Sequence, residues 1–111
     1  MKANIVLDFF LSAKSEKSKE KIINKIKENI DHEFGAFVSE QRQACFQIQV
    51  YCESWEAVVY RVLRTCQSFG RKWVVTGDID FEFSAWTNDS KLVGVESIGV
   101  SVDNPMYSRP S

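Results

Sequence analysis

The sequence predicts an α+β fold in two layers, with a sheet covered on one face by two helices. Three observations carry this. Separate stretches alternate apolar and polar residues with period 2, as half-buried strands do. Two other stretches space their apolar residues as one helical face, at Ile22, Ile23, Ile26 and Ile30 and again from Trp55 to Phe69. The order of these stretches is β-α-β-β-α-β-β. At 111 residues the chain is one domain by size and long enough to bury a core without staples. We assign residues 1–104 to that domain and 105–111, with Pro105 and Pro110, to a fraying tail.

Asn4 to Leu11 is apolar on both parities except at Asp8, which suits a central strand. Ser12 or Ser15 then caps a helix running to Ile30. Its lysines are interleaved with Glu16, Glu20 and Glu28 and read as a solvated face. Phe34 to Ser39 is a short strand, Glu40 to Gln43 a polar link, and Phe46 to Glu53 a cleanly alternating strand, so the pair reads as a hairpin. Ser54 is the expected N-cap of the second helix. Its buried stripe is Trp55, Val58, Val59, Val62, Leu63, Cys66 and Phe69, and Gly70 is expected as a left-handed terminating residue.

Lys72 to Trp86 reads as one long half-buried strand. Trp73, Val75, Ile79, Phe81, Phe83 and Ala85 form an apolar face, and Thr76, Asp78, Asp80, Glu82 and Ser84 a polar one. The carboxylates would stand about 6.6 Å apart. Thr87 to Lys91 is a turn cluster. The final strand, Leu92 to Val102, switches its apolar parity beside Gly94 and Gly99, which predicts a β-bulge. The first six elements are those of the ferredoxin-like split βαβ, with strands in the order 4-1-3-2 and both helices on one face. The final strand would pair beside the fourth and extend that edge of an antiparallel-rich sheet.

In this arrangement the second sheet face is open. Parity places on it Asp8 and Phe10, Gln47, Gln49 and Tyr51, Asp78, Asp80, Glu82 and Trp86, and Glu96. This is an acidic, amide-rich field with aromatic anchors. It reads either as a solvated face or as a docking surface for a basic protein. RNA-binding sheets set aromatics beside Lys and Arg; carboxylates stand here instead, so no nucleic acid is expected as a partner. Charge is uneven along the chain, +3 over residues 1–30, balanced over 31–77 and −4 over 78–111, giving the net −1.

No stretch spells out an enzyme. Asp78, Asp80 and Glu82 could share a Mg²⁺ on alternate strand positions, but the Gly-Ser turn and helix that nucleotidyl transfer needs do not precede them. The single histidine, His32, reads as a surface loop residue, and the glycines form no phosphate loop. No catalytic residue, metal or cofactor is assigned. Cys45, Cys52 and Cys66 have neither metal spacing nor a disulfide framework, which suggests a reducing compartment. Met1 to Ala13 superficially has the look of a leader peptide, but Asp8 interrupts its apolar run, so a strand is expected and no cleavage. With no run of transmembrane length, the expected location is the cytoplasm, without membrane contact.

In its size, its Lys-rich first helix and its two closing strands, Trp73 to Trp86 and Val93 to Val102, the chain resembles the small immunity proteins of bacterial toxin–immunity systems, including contact-dependent growth inhibition. The resemblance covers about a third of the chain. It implies a non-enzymatic role, binding and neutralising a cognate toxin domain, and many such toxins are nucleases with basic clefts. The expected partner-binding residues are then Asp78, Asp80 and Glu82 for charge, Tyr51 and Trp86 as anchors, and Gln47, Gln49 and Glu96 around them, on a monomer or weak dimer. The alternative is a small ligand-binding or dimerising regulatory module of ferredoxin-like fold.

Overall fold

The computed structural model describes residues 1–34, 38–42 and 44–106. In chain order the elements are β1 (Lys2–Leu11), α1 (Glu16–Phe34), β2 (Val38–Arg42), β3 (Cys45–Tyr51), α2 (Trp55–Phe69), β4 (Gly70–Arg71), β5 (Val74–Thr76), β6 (Glu82–Thr87), β7 (Asp89–Ser90) and β8 (Val95–Asp103). Six strands form one sheet in the order β2-β3-β1-β8-β6-β5, with every neighbouring pair antiparallel. β4 and β7 form a separate two-residue ladder.

The core lies on one face of the sheet. β1 contributes Ala3, Ile5, Leu7 and Phe9, β3 Phe46, Ile48 and Val50, β6 Phe83 and Ala85, and β8 Val95, Ile98, Val100 and Val102. Ile23, Ile26 and Ile30 of α1 belong to the same cluster, as do Val58, Val59, Val62, Cys66 and Phe69 of α2. Both helices therefore cover this face, as expected. The Phe9 ring meets Phe46 and Phe69 edge-on, at centroid distances of 6.0 and 5.6 Å, tying sheet to helix at its centre.

The helix starts follow capping chemistry. Ser15, of the two serines considered, caps α1: its Oγ accepts from the Ser18 N–H at 3.2 Å and its carbonyl from the Lys19 N–H at 3.0 Å. Ser54 Oγ accepts from the Ala57 N–H at 3.2 Å at the start of α2. α1 runs four residues further than expected, through His32 to Phe34, and the side chain of His32 lies outside the described residues. The first of the two paired strands is Val38–Arg42, so it includes most of what was expected to be a link; residues 35–37 of the expected strand lie outside the described residues.

Gly70 does not terminate α2 in a left-handed conformation. Its φ and ψ are −155° and 175°, and it opens β4 directly. Glycine is required there because a Cβ would come within 2.7 Å of the Thr87 methyl group. On α2, Leu63 is 40% exposed, and Thr65 takes a buried place instead, its hydroxyl donating to the Arg61 carbonyl at 3.0 Å.

The largest correction concerns Lys72 to Trp86. It is a hairpin, β5 and β6, rather than one strand. Gly77 has φ +88°, and the Asp78 carbonyl accepts from the Phe81 and Glu82 N–H groups, both at 2.9 Å. Asp78 Oδ1 also accepts from the Asp80 N–H at 3.1 Å, a side-chain-closed turn. Ile79 and Phe81, expected in the core, are 52% and 38% exposed on this turn. The strand beside β1 is also not the one expected. β8 takes that place, β6 lies outside it, and β5 forms the edge. The bulge in the last strand is present: Phe10 pairs with Ser97 and Leu11 with Val95, leaving Glu96 as the extra residue.

This parity makes opposite predictions for adjacent phenylalanine-bearing positions. Phe9→Ala, on the core face of β1, should cost about 3–5 kcal/mol of unfolding free energy in urea titrations. Phe10→Ala, on the far face of β1, should cost less than about 0.5 kcal/mol. Similar costs would show that the faces of the sheet are wrongly assigned.

Candidate functional site: the open sheet face

The face of the sheet turned away from the helices is built in cross-strand rows. One row is Gln47, Val6, Ser101, Ser84 and Thr76. The next is Cys45, Asp8, Gly99, Trp86 and Val74. Phe10 pairs with Ser97, Asn4 with Gln49, Lys2 with Tyr51 and Glu82 with Asp103. The centre of the face is therefore low and weakly polar, with large side chains towards its corners.

The expected site residues fall into two groups. Tyr51, Trp86, Gln47, Gln49, Glu82, Asp8 and Phe10 all lie on this face, with Tyr51 73%, Phe10 54% and Trp86 47% exposed. Glu96 is exposed at the bulge. Asp78 and Asp80 do not join Glu82 in a row of carboxylates. They sit in the β5–β6 turn, beyond the end of the strand. Among the described residues, no three His, Cys, Asp or Glu side chains converge as metal ligands.

The anchors are far apart. Lys2, beside Tyr51, and Asp8, in the row of Trp86, are six residues apart on β1, about 20 Å at strand rise. β3 and β6 are three strand spacings apart, about 14 Å. A flat surface of these dimensions suits another folded surface better than a small molecule, which would be enclosed in a cavity.

Three residues that were not among the expected site residues shape the site. Asp103 lies directly across from Glu82, and like charges in that relation destabilise a sheet. Gly99 lies between Asp8 and Trp86, and a Cβ placed on it would meet no atom within 4 Å. The row thus has an open notch with a carboxylate on one side and an indole on the other. Asn104, only 3% exposed, fixes the hairpin turn to the end of β8. Its N–H donates to the Phe81 carbonyl at 2.8 Å, its side-chain amide to the Asp80 carbonyl at 2.9 Å, and its Oδ1 accepts from the Met106 N–H at 3.0 Å. The expected tail thus begins as an ordered turn, and residues 107–111 lie outside the described residues. The signal for Gly99 was present, since a glycine inside a strand pattern marks a bulge or close approach. Asp103 needed the register, which parity alone does not give.

Two concavities adjoin these features. One of about 360 Å³ lies at the Phe10 end of the open face, between Asp8, Phe10, Lys19 and Glu96. Another, of about 770 Å³, lies between the start of α2 and the hairpin turn. Its acids Glu53, Glu56 and Asp80 are offset by the Met1 ammonium, which donates to the Cys52 carbonyl, and by the positive end of α2. In the core, burial pushes the Cys66 thiol up to about 12 from 9.0, which disfavours its thiolate.

Compared with protein-family models, with curated proteins and with solved structures, the chain matches none.

Asp103→Lys should convert a repulsive cross-strand pair into an attractive one and raise stability by about 0.5 kcal/mol in urea titrations. No gain would mean that Glu82 and Asp103 do not repel across the strands. For Cys66, the folded state retains a proton that the unfolded chain gives up above pH 9. Its contribution to stability should therefore fall as pH rises from 9 towards 12. At pH 8, Cys66 should resist a thiol reagent that modifies the half-buried Cys52; rapid modification of Cys66 in the folded protein would contradict its burial.

Proposed function

We propose that the chain is a non-enzymatic binding protein whose open sheet face docks a basic protein domain, and that its role is that of an immunity protein neutralising a toxin in the cytoplasm. The observation that supports this reading most is the composition of that face. Asp8, Glu82, Glu96 and Asp103 share the face with the exposed rings of Phe10 and Trp86, and Lys2 stands beside the third ring, Tyr51, at its far corner. Like charge gathered on one face is relieved further when a cationic surface is brought against it. Exposed Trp and Tyr are the side chains that most often supply binding energy at an interface.

The notch at Gly99 gives the docking a focus. A lysine or arginine side chain of the partner enters between the Asp8 carboxylate and the Trp86 indole. There it gains charge attraction on one side and a cation–π contact on the other. A basic nuclease cleft suits this arrangement, because it is lined with such side chains to hold phosphates. In fold terms, we read β1-α1-β2-β3-α2-β8 as a ferredoxin-like unit. The segment from β4 to β7 is then an insertion between α2 and β8 that widens the platform.

The test uses a substitution that should leave the fold intact. Gly99 does not have a positive φ and faces open space, so Gly99→Val should fold normally while filling the notch. Cells induced for the toxin domain encoded beside this gene should grow when they also make the wild-type protein. That protection should fail with Gly99→Val, and with Trp86→Ala combined with Glu82→Lys. Full protection by all of these variants would rule out the open face as the binding surface. Absence of protection by the wild type would rule out the immunity role.

A further inference from the structure

The helix layer carries the opposite charge from the open sheet face. Over residues 14–28, six lysines stand against three glutamates. Lys17, Lys21 and Lys25 are exposed and follow one another at i, i+4 along α1, so they form one outward row. Among the described residues, none of the three has an ion-pair partner. Like charges at that spacing repel, and an anionic segment laid along the row offsets the repulsion.

A small apolar notch lies at the Lys25 end of the row. Its volume is about 110 Å³, and it is lined by Ile22, Lys25 and Ile26 of α1 and by Lys91, Leu92 and Val93 of the loop before β8. That loop is held from both sides. The Lys91 N–H donates to the Phe69 carbonyl at 2.9 Å and its Nζ to the Gln67 carbonyl at 2.6 Å, while the Ser12 N–H donates to the Gly94 carbonyl at 3.0 Å. Gly94, with φ +86°, comes so close to α1 that a Cβ there would overlap Ile22. Val93 nevertheless projects into solvent, 96% exposed. The notch is therefore preformed, with a lysine on each wall and an apolar rim.

We infer that this notch seats one aliphatic side chain of an acidic peptide segment, whose carboxylates lie along Lys25, Lys21 and Lys17. Size selects the class of occupant. At about 30 Å³ for each water-sized group, the notch holds about four of them, the size of a leucine side chain. Sites that enclose a free small molecule run to about 300–1,000 Å³. A nucleobase needs more room and an aromatic face to stack on, and the lining holds no aromatic ring. Charge then selects within the class, because the lysine row repels a basic segment and attracts an acidic one. The inference does not rest on the proposed partner, since α1 covers the other side of the sheet from the open face.

The probe is a capped pentapeptide with one leucine between two pairs of glutamates. In an NMR titration at low salt, the amide signals of Ile22, Lys25 and Val93 should shift, with a Kd on the order of 0.1–1 mM. Replacing the leucine by glycine should weaken binding at least about tenfold, as the loss of a buried aliphatic side chain does. Lys25→Glu and Val93→Asp should each weaken it about fivefold, because each sets a negative charge against the peptide. Both positions are exposed, so both variants should keep the circular dichroism of the wild type. Failure of the leucine peptide to bind, equal binding of the glycine peptide, or binding indifferent to Lys25→Glu and Val93→Asp would each overturn the inference. Tighter binding of a thymidine oligonucleotide, or of phosphatidylserine vesicles, at the same residues would also overturn it, by making the row a phosphate site.

Discussion

The pairing of β1 with β8 holds the two halves of the chain together. Ile5 lies opposite Val102 and Phe9 opposite Ile98, so the first and last strands share the middle of the sheet. Their inward side chains form the floor on which α1 and α2 rest, and Phe9 reaches Phe69 directly. Each side of this pair then carries a hairpin, β2–β3 outside β1 and β5–β6 outside β8. The lateral position of every other strand follows from this one ladder.

The same ladder decides the chemistry of the opposite face. β8 presents Ser97, Gly99 and Ser101 there, a low median between Val6, Asp8 and Phe10 on β1 and Glu82, Ser84 and Trp86 on β6. A sheet built for solubility alone would favour cross-strand pairs that attract. Here Glu82 faces Asp103, and Trp86 lies beside a residue with no side chain to cover its ring. The Trp86 ring is left 47% exposed. In the proposed function, such a surface would be completed by another molecule.

Much of the architecture was legible because periodicity reports burial. The central placement of β1, the caps at Ser15 and Ser54, the inward residues of β3 and the bulge at Glu96 all follow from local pattern and local chemistry. The lateral order of strands did not follow, because alternation states which face a side chain takes and not which strand lies alongside. Lys72 to Trp86 misled for a related reason. Its alternation runs unbroken across a turn, so Val75 and Ala85 share a face although the chain has reversed between them. The clue was Gly77-Asp78, where a left-handed glycine precedes an aspartate whose side chain closes the loop. Two of the three proposed carboxylates consequently left the surface to which parity had assigned them.

The central position of β8 bears on how the protein is made. Until Val95–Asp103 has emerged from the ribosome, β1 has one of its two neighbours and β6 lacks its inner one, so apolar strand edges wait exposed during synthesis. Closure must span most of the polypeptide, a long-range step that is slow in sheet proteins and vulnerable to aggregation. A nascent or truncated product lacking this segment is therefore a substrate for chaperones rather than a smaller version of the same domain.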